Sequence, residues 1–407
     1  MATRLGQPLD AVELTHDGET IVARRGEPLV LSLLAADRLL LSRSPKLHRP
    51  RGPFCLRGAC EGCLVRVSGL PNQAACRVLV AGGEVVETQN VLGTRQLDLL
   101  AASDFLFPHG IDHHRLMAGV RGVSPIVSNV ARRIAGLGKL ADHAPKVAPA
   151  QRLEVPLLIV GGGPSGLRAA IHWGSKALLV DDGIGLGGAL TALDPPAAEA
   201  LASAAQRSGA ALRSRAAVVA LSREPEDGSG HLTALVVGEH ETAIVRARAV
   251  LLAPGEHDRA PCFPNNDLPG IFSARAALWA WRGDVLLGRK LALVGAGPYA
   301  RVLAEQLRGV VELFELDASS VLRAIGRDRI SAVEVQTEQG RRKLKVDALA
   351  FDGPGAPSFE LFAQAGAEVD FDPAAGYVPR VAETGSVAPR VFAGRAYASP
   401  ALASLLG

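Results

Sequence analysis

The stretch PLLIVGGGPSGLRAAIHWGSKALLVDD, residues 156–182, narrows most sharply what the middle of this chain can fold into. An apolar run, LLIV, passes directly into Gly161, Gly162, Gly163, Pro164, Ser165 and Gly166, so that G-x-G-x-x-G joins a strand to a helical stretch. Glycine at these places permits a tight turn and lets a pyrophosphate approach the free N–H groups of a helix N-terminus. A second apolar run, ALLV, leads into Asp181 and Asp182. Asp181 follows Gly161 by 20 residues, where a carboxylate can accept from a ribose 2′-OH and disfavours a 2′-phosphate. The pattern recurs in LALVGAGPYARVLAEQLRGVVELFELD, residues 291–317, with Gly295, Gly297 and Ala300 as G-x-G-x-x-A and Glu315 again 20 residues after the first glycine. Strand, glycine turn, helix and strand, twice over, predict an α/β chain with parallel sheets.

Two such units, with VLLAPGEHDRAPCFPNNDLPG between them and VFAGRAYAS near the C-terminus, resemble the two-dinucleotide-binding (Rossmann-like) flavoprotein fold. In that fold an inner nucleotide domain is inserted into an outer one. The resemblance implies an outer domain over residues 151–285 plus 346–407 and an inserted second domain over 286–345. Its terminal motif usually ends in Gly-Asp at the flavin; here Gly394 is followed by Arg395. An arginine can meet a phosphate directly, or can mean that the outer site holds NAD or ATP in place of the FAD that the fold resemblance implies. Gly187 and Gly188 in GIGLGGAL resemble the loop that covers the pyrophosphate, a plain glycine-rich turn being the other reading.

Upstream, CLRGACEGC and one later residue place Cys55, Cys60, Cys63 and Cys76 in C-x4-C-x2-C-x12-C spacing. The first two intervals match the plant-type [2Fe-2S] arrangement, in which four thiolates hold two irons. Gly58 and Gly62 allow a tight loop whose backbone N–H groups can face the sulfurs. A four-thiolate zinc site is the alternative, although such sites usually carry two C-x2-C pairs and this chain has one. Around the cysteines, AVELT, the turn at Asp17-Gly18, TIVARRG, the helical stretch EPLVLSLLAADR and the short runs CLVRV, CRVLV and EVVETQ predict a compact α+β unit over residues 1–95. The short final gap between cysteines resembles small β-grasp ferredoxin modules. Residues 96–150 read as a linker segment. Cys262 is expected to be an inert core or loop residue.

At 407 residues there is room for two or three domains, and a net charge of +3 argues against a nucleic-acid partner. The N-terminus lacks the apolar core of a secretory signal and no window predicts a transmembrane segment, so a cytoplasmic protein is expected. In that reducing compartment clustered cysteines point to metal or redox chemistry.

The phrases RSPKLHRPRGP, GLPNQA, AGLGKLADHAPK and HDRAPCFPNNDLPGIFSA, in that order, resemble the α subunit of heteromeric sarcosine oxidase and its relatives. These include hydrogen cyanide synthase, the opine oxidases and the dye-linked proline and hydroxyproline dehydrogenases. Sarcosine oxidase α lacks the cluster cysteines, whereas cyanide synthase and opine oxidase carry a separate small [2Fe-2S] subunit. The chain resembles that small subunit fused to the nucleotide-binding one. The resemblance implies an electron-transfer and nucleotide-binding subunit of an amine or amino-acid dehydrogenase or oxidase. A β subunit with a D-amino-acid-oxidase-like fold would break the C–H bond, and FMN would sit at a subunit interface. No catalytic residue for that step is therefore assigned to this chain. Lys46, His48, Arg49 and Arg51 are candidates for clamping an FMN phosphate or an acidic partner surface, or else a solvated loop. His113 and His114 suit a packing or surface role, and Asn265, Asn266 and Asp267 are turn formers. Two other readings stay open: a self-contained NADH-dependent FAD/[2Fe-2S] reductase, and a structural ATP- or NAD-binding scaffold beside a redox-active cluster.

Overall fold

The computed structural model describes residues 1–44, 47–91, 93–95, 141, 149–223, 230–239 and 241–407. Lys46, His113, His114 and most of the expected linker 96–150 lie outside the described residues. The chain divides into two units, one containing described residues of Met1–Ala144 with Ala260–Gly353, the other those of Pro145–Arg259 with Pro354–Gly407.

In the first unit, strands Ala11–His16 and Glu19–Arg24 form an antiparallel hairpin. Its turn residues Asp17 and Gly18 have φ of 52° and 82°, as a two-residue turn matched to strand twist requires. The five-stranded sheet runs Glu19–Arg24, Ala11–His16, Val85–Glu87, Leu64–Val67, Leu70–Ala74, with Val85–Glu87 parallel to Ala11–His16. Helix Leu29–Ala35 starts after Pro28, and six consecutive residues, from Leu29 through Leu34, are buried. A helix covered on every side belongs to a core, and its one polar member, Ser32, donates to the buried Glu27 at 2.6 Å. The short run CRVLV turns at Cys76, and its carbonyls at Val78 and Val80 accept the N–H groups of Leu29 and Gly26.

The rest of this unit is a parallel sheet ordered Ile271–Ser273, Ala348–Phe351, Lys290–Val294, Glu312–Leu316, beside a three-stranded antiparallel sheet over 321–345. The boundaries expected at 285/286 and 345/346 therefore need correction. Ile271–Ser273 and Ala348–Phe351, which those boundaries give to the outer domain, supply two of the four strands here. Their apolar side chains, Ile271 and Leu349, lie in the same core as Ala292 and Val294.

The cysteine-bearing domain packs against this sheet within the one unit. The Ser273 N–H donates to the Phe54 carbonyl at 3.0 Å. Arg49 grips Asp267 through two nitrogens at 2.9 and 2.6 Å, Arg51 approaches the same carboxylate at 3.4 Å, and Arg329 forks onto Asp37 at 2.9 and 3.0 Å. Arg43 adds a contact to Asp328 at 2.7 Å. The basic loop expected as a phosphate or partner clamp thus spends Arg49 and Arg51 on an internal carboxylate, while His48 is buried with φ of 47°. Half-exposed pairs of this kind contribute about 1 kcal/mol or less each; the bidentate Arg49–Asp267 geometry fixes orientation.

In the second unit, strand Gln151–Val160 lies at the centre of a larger sheet, parallel to Ala177–Val180 on one side and Thr242–Leu252 on the other. Ala211–Arg213 and Val391–Ala393 extend the parallel run. Helix Pro164–Trp173 buries Leu167, Ala169 and Ala170 against Leu157, Ile159 and Leu179. Among the described residues no helix is long and apolar enough to cross a membrane.

His16 is fully buried, and that burial holds its imidazole down at about 4, with Arg95 and Arg38 acting in the same direction and Asp17 opposing. The unfolded chain takes up this proton near its ordinary 6.5 and the folded chain refuses it until about 4. Stability from this group is therefore whole above pH 6.5 and falls as pH drops through that window, by on the order of 3 kcal/mol. Melting from pH 7 to 4.5 is expected to show a steeper loss in the native sequence than in His16→Gln; parallel curves would refute the assignment.

Candidate functional site

The cysteine loop is shaped by positions where only glycine fits. A Cβ on Gly62 would run into the carbonyl of Gly52, and one on Gly52 would lie 2.5 Å from the Leu39 carbonyl and 2.8 Å from Pro269 Cβ. Leu56 and Gly58, with φ of 52° and 81°, turn the backbone so that the Gly58 N–H donates to Cys76 Sγ at 3.0 Å and the Arg57 N–H reaches Cys55 Sγ at 3.5 Å. Cys55, Cys63 and Cys76 are each 1% exposed, whereas Cys60 is half-buried at the rim.

The four thiols meet as two pairs, Cys55 with Cys60 and Cys63 with Cys76. Among the described residues no group of three or more His, Cys, Asp or Glu side chains is arranged around a single ion. In the first pair, the hydrogen bond from Cys55 brings Cys60 down to about 6 against the opposing effect of burial, helped by N–H groups of Gly62, Cys55 and Phe54. The same hydrogen bond, then burial, pushes Cys55 up. Cys63 is likewise lowered by Cys76, which is itself raised. Four soft donors with backbone N–H groups aimed at sulfur fit a binuclear iron cluster, which Cys55, Cys60, Cys63 and Cys76 would hold. Cys262 is exposed in a loop, so the loop alternative of its expectation describes it.

At the first fingerprint, Gly161 has φ of 106°, and a Cβ there would strike the carbonyl of Ala253, the residue that follows the neighbouring strand. A Cβ on Gly166 would strike Gly161 O, so helix Pro164–Trp173 lies directly on the turn. By contrast, a Cβ on Gly163 would have no atom within 4 Å. Gly163 is the N-cap and no side chain caps the helix, which leaves first-turn N–H groups for an anion. Asp181 accepts from the Gly162 N–H at 2.6 Å and the Gly183 N–H at 2.8 Å, so the carboxylate expected to meet a ribose also holds the turn together. Asp182 is exposed beside it. The Gly187 N–H donates to Gly162 O at 2.8 Å, and a Cβ on Gly188 would lie 2.8 Å from Gly163 Cα, so this loop sits on the fingerprint. Gly394 is buried with its virtual Cβ 3.3 Å from Ser165 Cβ, which brings Gly394 to the same helix end; Arg395 follows it with an exposed side chain.

The second fingerprint repeats the frame. Gly295 has φ of 96°, Gly297 caps helix Pro298–Leu307, Ala300 is buried, and Glu315 is exposed on strand Glu312–Leu316. Here the N–H of Ala300 donates to Asp352 at 2.6 Å. Asp352 escaped the sequence reading; its only signal was an acidic residue just beyond an apolar run, in LAFDGPG.

Residues 10–91 match the family model described as 2Fe-2S iron-sulfur cluster binding domain. The sarcosine oxidase α subunit of Rhizobium meliloti (strain 1021) is 30% identical over an alignment covering 97% of this chain and 45% of that protein. Opine oxidase A of Agrobacterium tumefaciens (strain Ach5) is 30% identical over 40% of this chain and 37% of its own length. This chain is a homologue of these two proteins. It spans less than half the length of these curated relatives of the sarcosine oxidase α family. The crystal structure of L-proline dehydrogenase from P. horikoshii superimposes with a TM-score of 0.70 at 21% identity, covering 94% of this chain and 68% of that one. That likeness extends the flavoprotein-like fold along nearly the whole sarcosine oxidase α homologue, after its N-terminal 2Fe-2S domain.

Two measurements check the sites. The chain purified without oxygen is expected to carry about two irons and two labile sulfides, lost in Cys60→Ser and Cys63→Ser and kept in Cys262→Ser; stoichiometric zinc would contradict the cluster assignment. Gly163→Ala is expected to leave the melting point of the ligand-free chain nearly unchanged while weakening nucleotide binding by roughly tenfold or more, since the methyl enters space the pyrophosphate uses. Equal affinity would remove the outer fingerprint from consideration.

Proposed function

We propose that the chain is the electron-transfer and nucleotide-binding subunit of a heteromeric oxidoreductase that oxidises CH–NH bonds of an amine or amino acid. What carries this reading is the gathering of four thiols, three of them buried, in a chain 30% identical to a sarcosine oxidase α subunit. Substrate oxidation belongs to a β subunit with its own flavin. The outer fingerprint would bind FAD, its pyrophosphate against the first-turn N–H groups beyond Gly163. A [2Fe-2S] cluster, when bound, supplies one-electron transfer.

The protein's own groups define what that centre can do. Backbone N–H groups of Gly58 and Arg57 offset negative charge on Cys76 and Cys55, a lever that raises reduction potential. The buried Cys55, Cys63 and Cys76 keep water from three ligands, and the half-buried Cys60 gives the centre one side nearest the surface. Electrons would enter or leave on that side.

Affinity purification from the native cell is expected to bring down a flavoprotein partner. The chain alone should not oxidise sarcosine, proline, hydroxyproline or an opine, and the complex should oxidise one of them with bleaching of the visible cluster absorbance. Rapid oxidation of NADH by the isolated chain would overturn this reading in favour of a self-contained reductase.

A further inference from the structure

The two fingerprints share a backbone frame so closely that one side chain can be compared between them. In the outer frame the N–H of Ala253 donates to Val160 O at 2.7 Å, and the Ala253 carbonyl lies over Gly161 where a Cβ would strike it. In the inner frame the N–H of Asp352 donates to Val294 O at 2.8 Å, and the Asp352 carbonyl lies over Gly295 in the same way. Ala253 follows strand Thr242–Leu252, and Asp352 follows strand Ala348–Phe351. The two residues therefore hold equivalent positions, one with a methyl and the other with a carboxylate.

The consequence falls on the phosphate position. A Cβ on Gly163 would meet nothing within 4 Å, whereas one on Gly297 would lie 2.5 and 2.7 Å from the two carboxylate oxygens of Asp352. The carboxylate thus lies flat against the glycine that a pyrophosphate would approach. It also accepts the Ala300 N–H at 2.6 Å, one of the first-turn donors an anion would use. A negative group at a helix N-terminus is favourable on its own account, so the Ala300 donor is satisfied without a ligand. A dinucleotide entering here would have to displace a charge-assisted hydrogen bond and set two negative groups side by side.

We infer that Asp352 closes the second fingerprint to dinucleotides, so that the inner domain takes neither NAD(H) nor an ADP-containing analogue. It is a specificity-determining residue that acts by exclusion. It also denies the cluster a hydride donor bound at the fingerprint of its own unit.

Calorimetric titration of the full chain, with its cluster, against NADH and against ADP tests this. Asp352→Ala copies the outer frame; Asp352→Ser keeps a hydroxyl that can cap Ala300 while removing the charge. Either variant is expected to bind one more nucleotide per chain than the native sequence, with affinity raised roughly tenfold or more at that added site. The gain is the readout whatever the outer site binds, so failure of the outer FAD assignment leaves it intact. Two nucleotides bound by the native chain would overturn the inference. So would an unchanged count in Asp352→Ser, with cluster absorbance and melting showing that variant folded.

Discussion

The cysteine loop rests on close contact between backbones. No side chain fits at Gly62 against the Gly52 carbonyl, or at Gly52 between Leu39 and Pro269. Pro269 belongs to the turn that opens strand Ile271–Ser273 of the inner sheet, and the Phe54 carbonyl accepts the N–H of Ser273 two residues after that strand begins. The path from the cysteine loop to the inner sheet is thus a few residues of backbone in contact. Flexible side chains contribute little to it. Close packing of this kind transmits displacement rather than absorbing it. Electron transfer needs a fixed position for its carrier, and this packing provides one within the unit.

The ion pairs around that contact act on orientation. Arg49 and Arg51 reach Asp267, Arg329 of the inner domain reaches Asp37 of the cysteine-bearing one, and most of these groups keep some contact with water. Their energies are individually small. Because Arg49 forks through two nitrogens onto Asp267 and Arg329 Nη1 spans both oxygens of Asp37, they resist rotation of the cysteine-bearing domain more than they resist its unfolding. The same geometry engages Arg49 and Arg51 of the basic loop with Asp267.

A repeated binding frame can lose one of its functions through a single side chain. The strand, turn and helix of the inner copy keep every feature that glycine requires, because those features hold the sheet and helix together whether or not a ligand binds. Strand Ala348–Phe351 decides access, since the residue after it, Asp352, faces the helix N-terminus. A fingerprint therefore reports a fold more reliably than it reports a ligand.

Short-range patterns carried much of this protein. The cysteine spacing, the two glycine fingerprints, the Asp17-Gly18 turn and the buried helix after Pro28 each depend on residues within a few positions of one another, where backbone sterics and periodicity act directly. The sequence by itself thus determined the α/β class, the four sulfurs and the two turns. Tertiary structure alone decided that CRVLV bends toward its cysteine, that strands 271–273 and 348–351 belong to the inner sheet, and that Arg49 meets Asp267 across 218 positions. It alone also set a carboxylate from residue 352 over Gly297. These outcomes turn on which distant surfaces come together, and hydrophobic pattern and charge allow many partners until packing selects one.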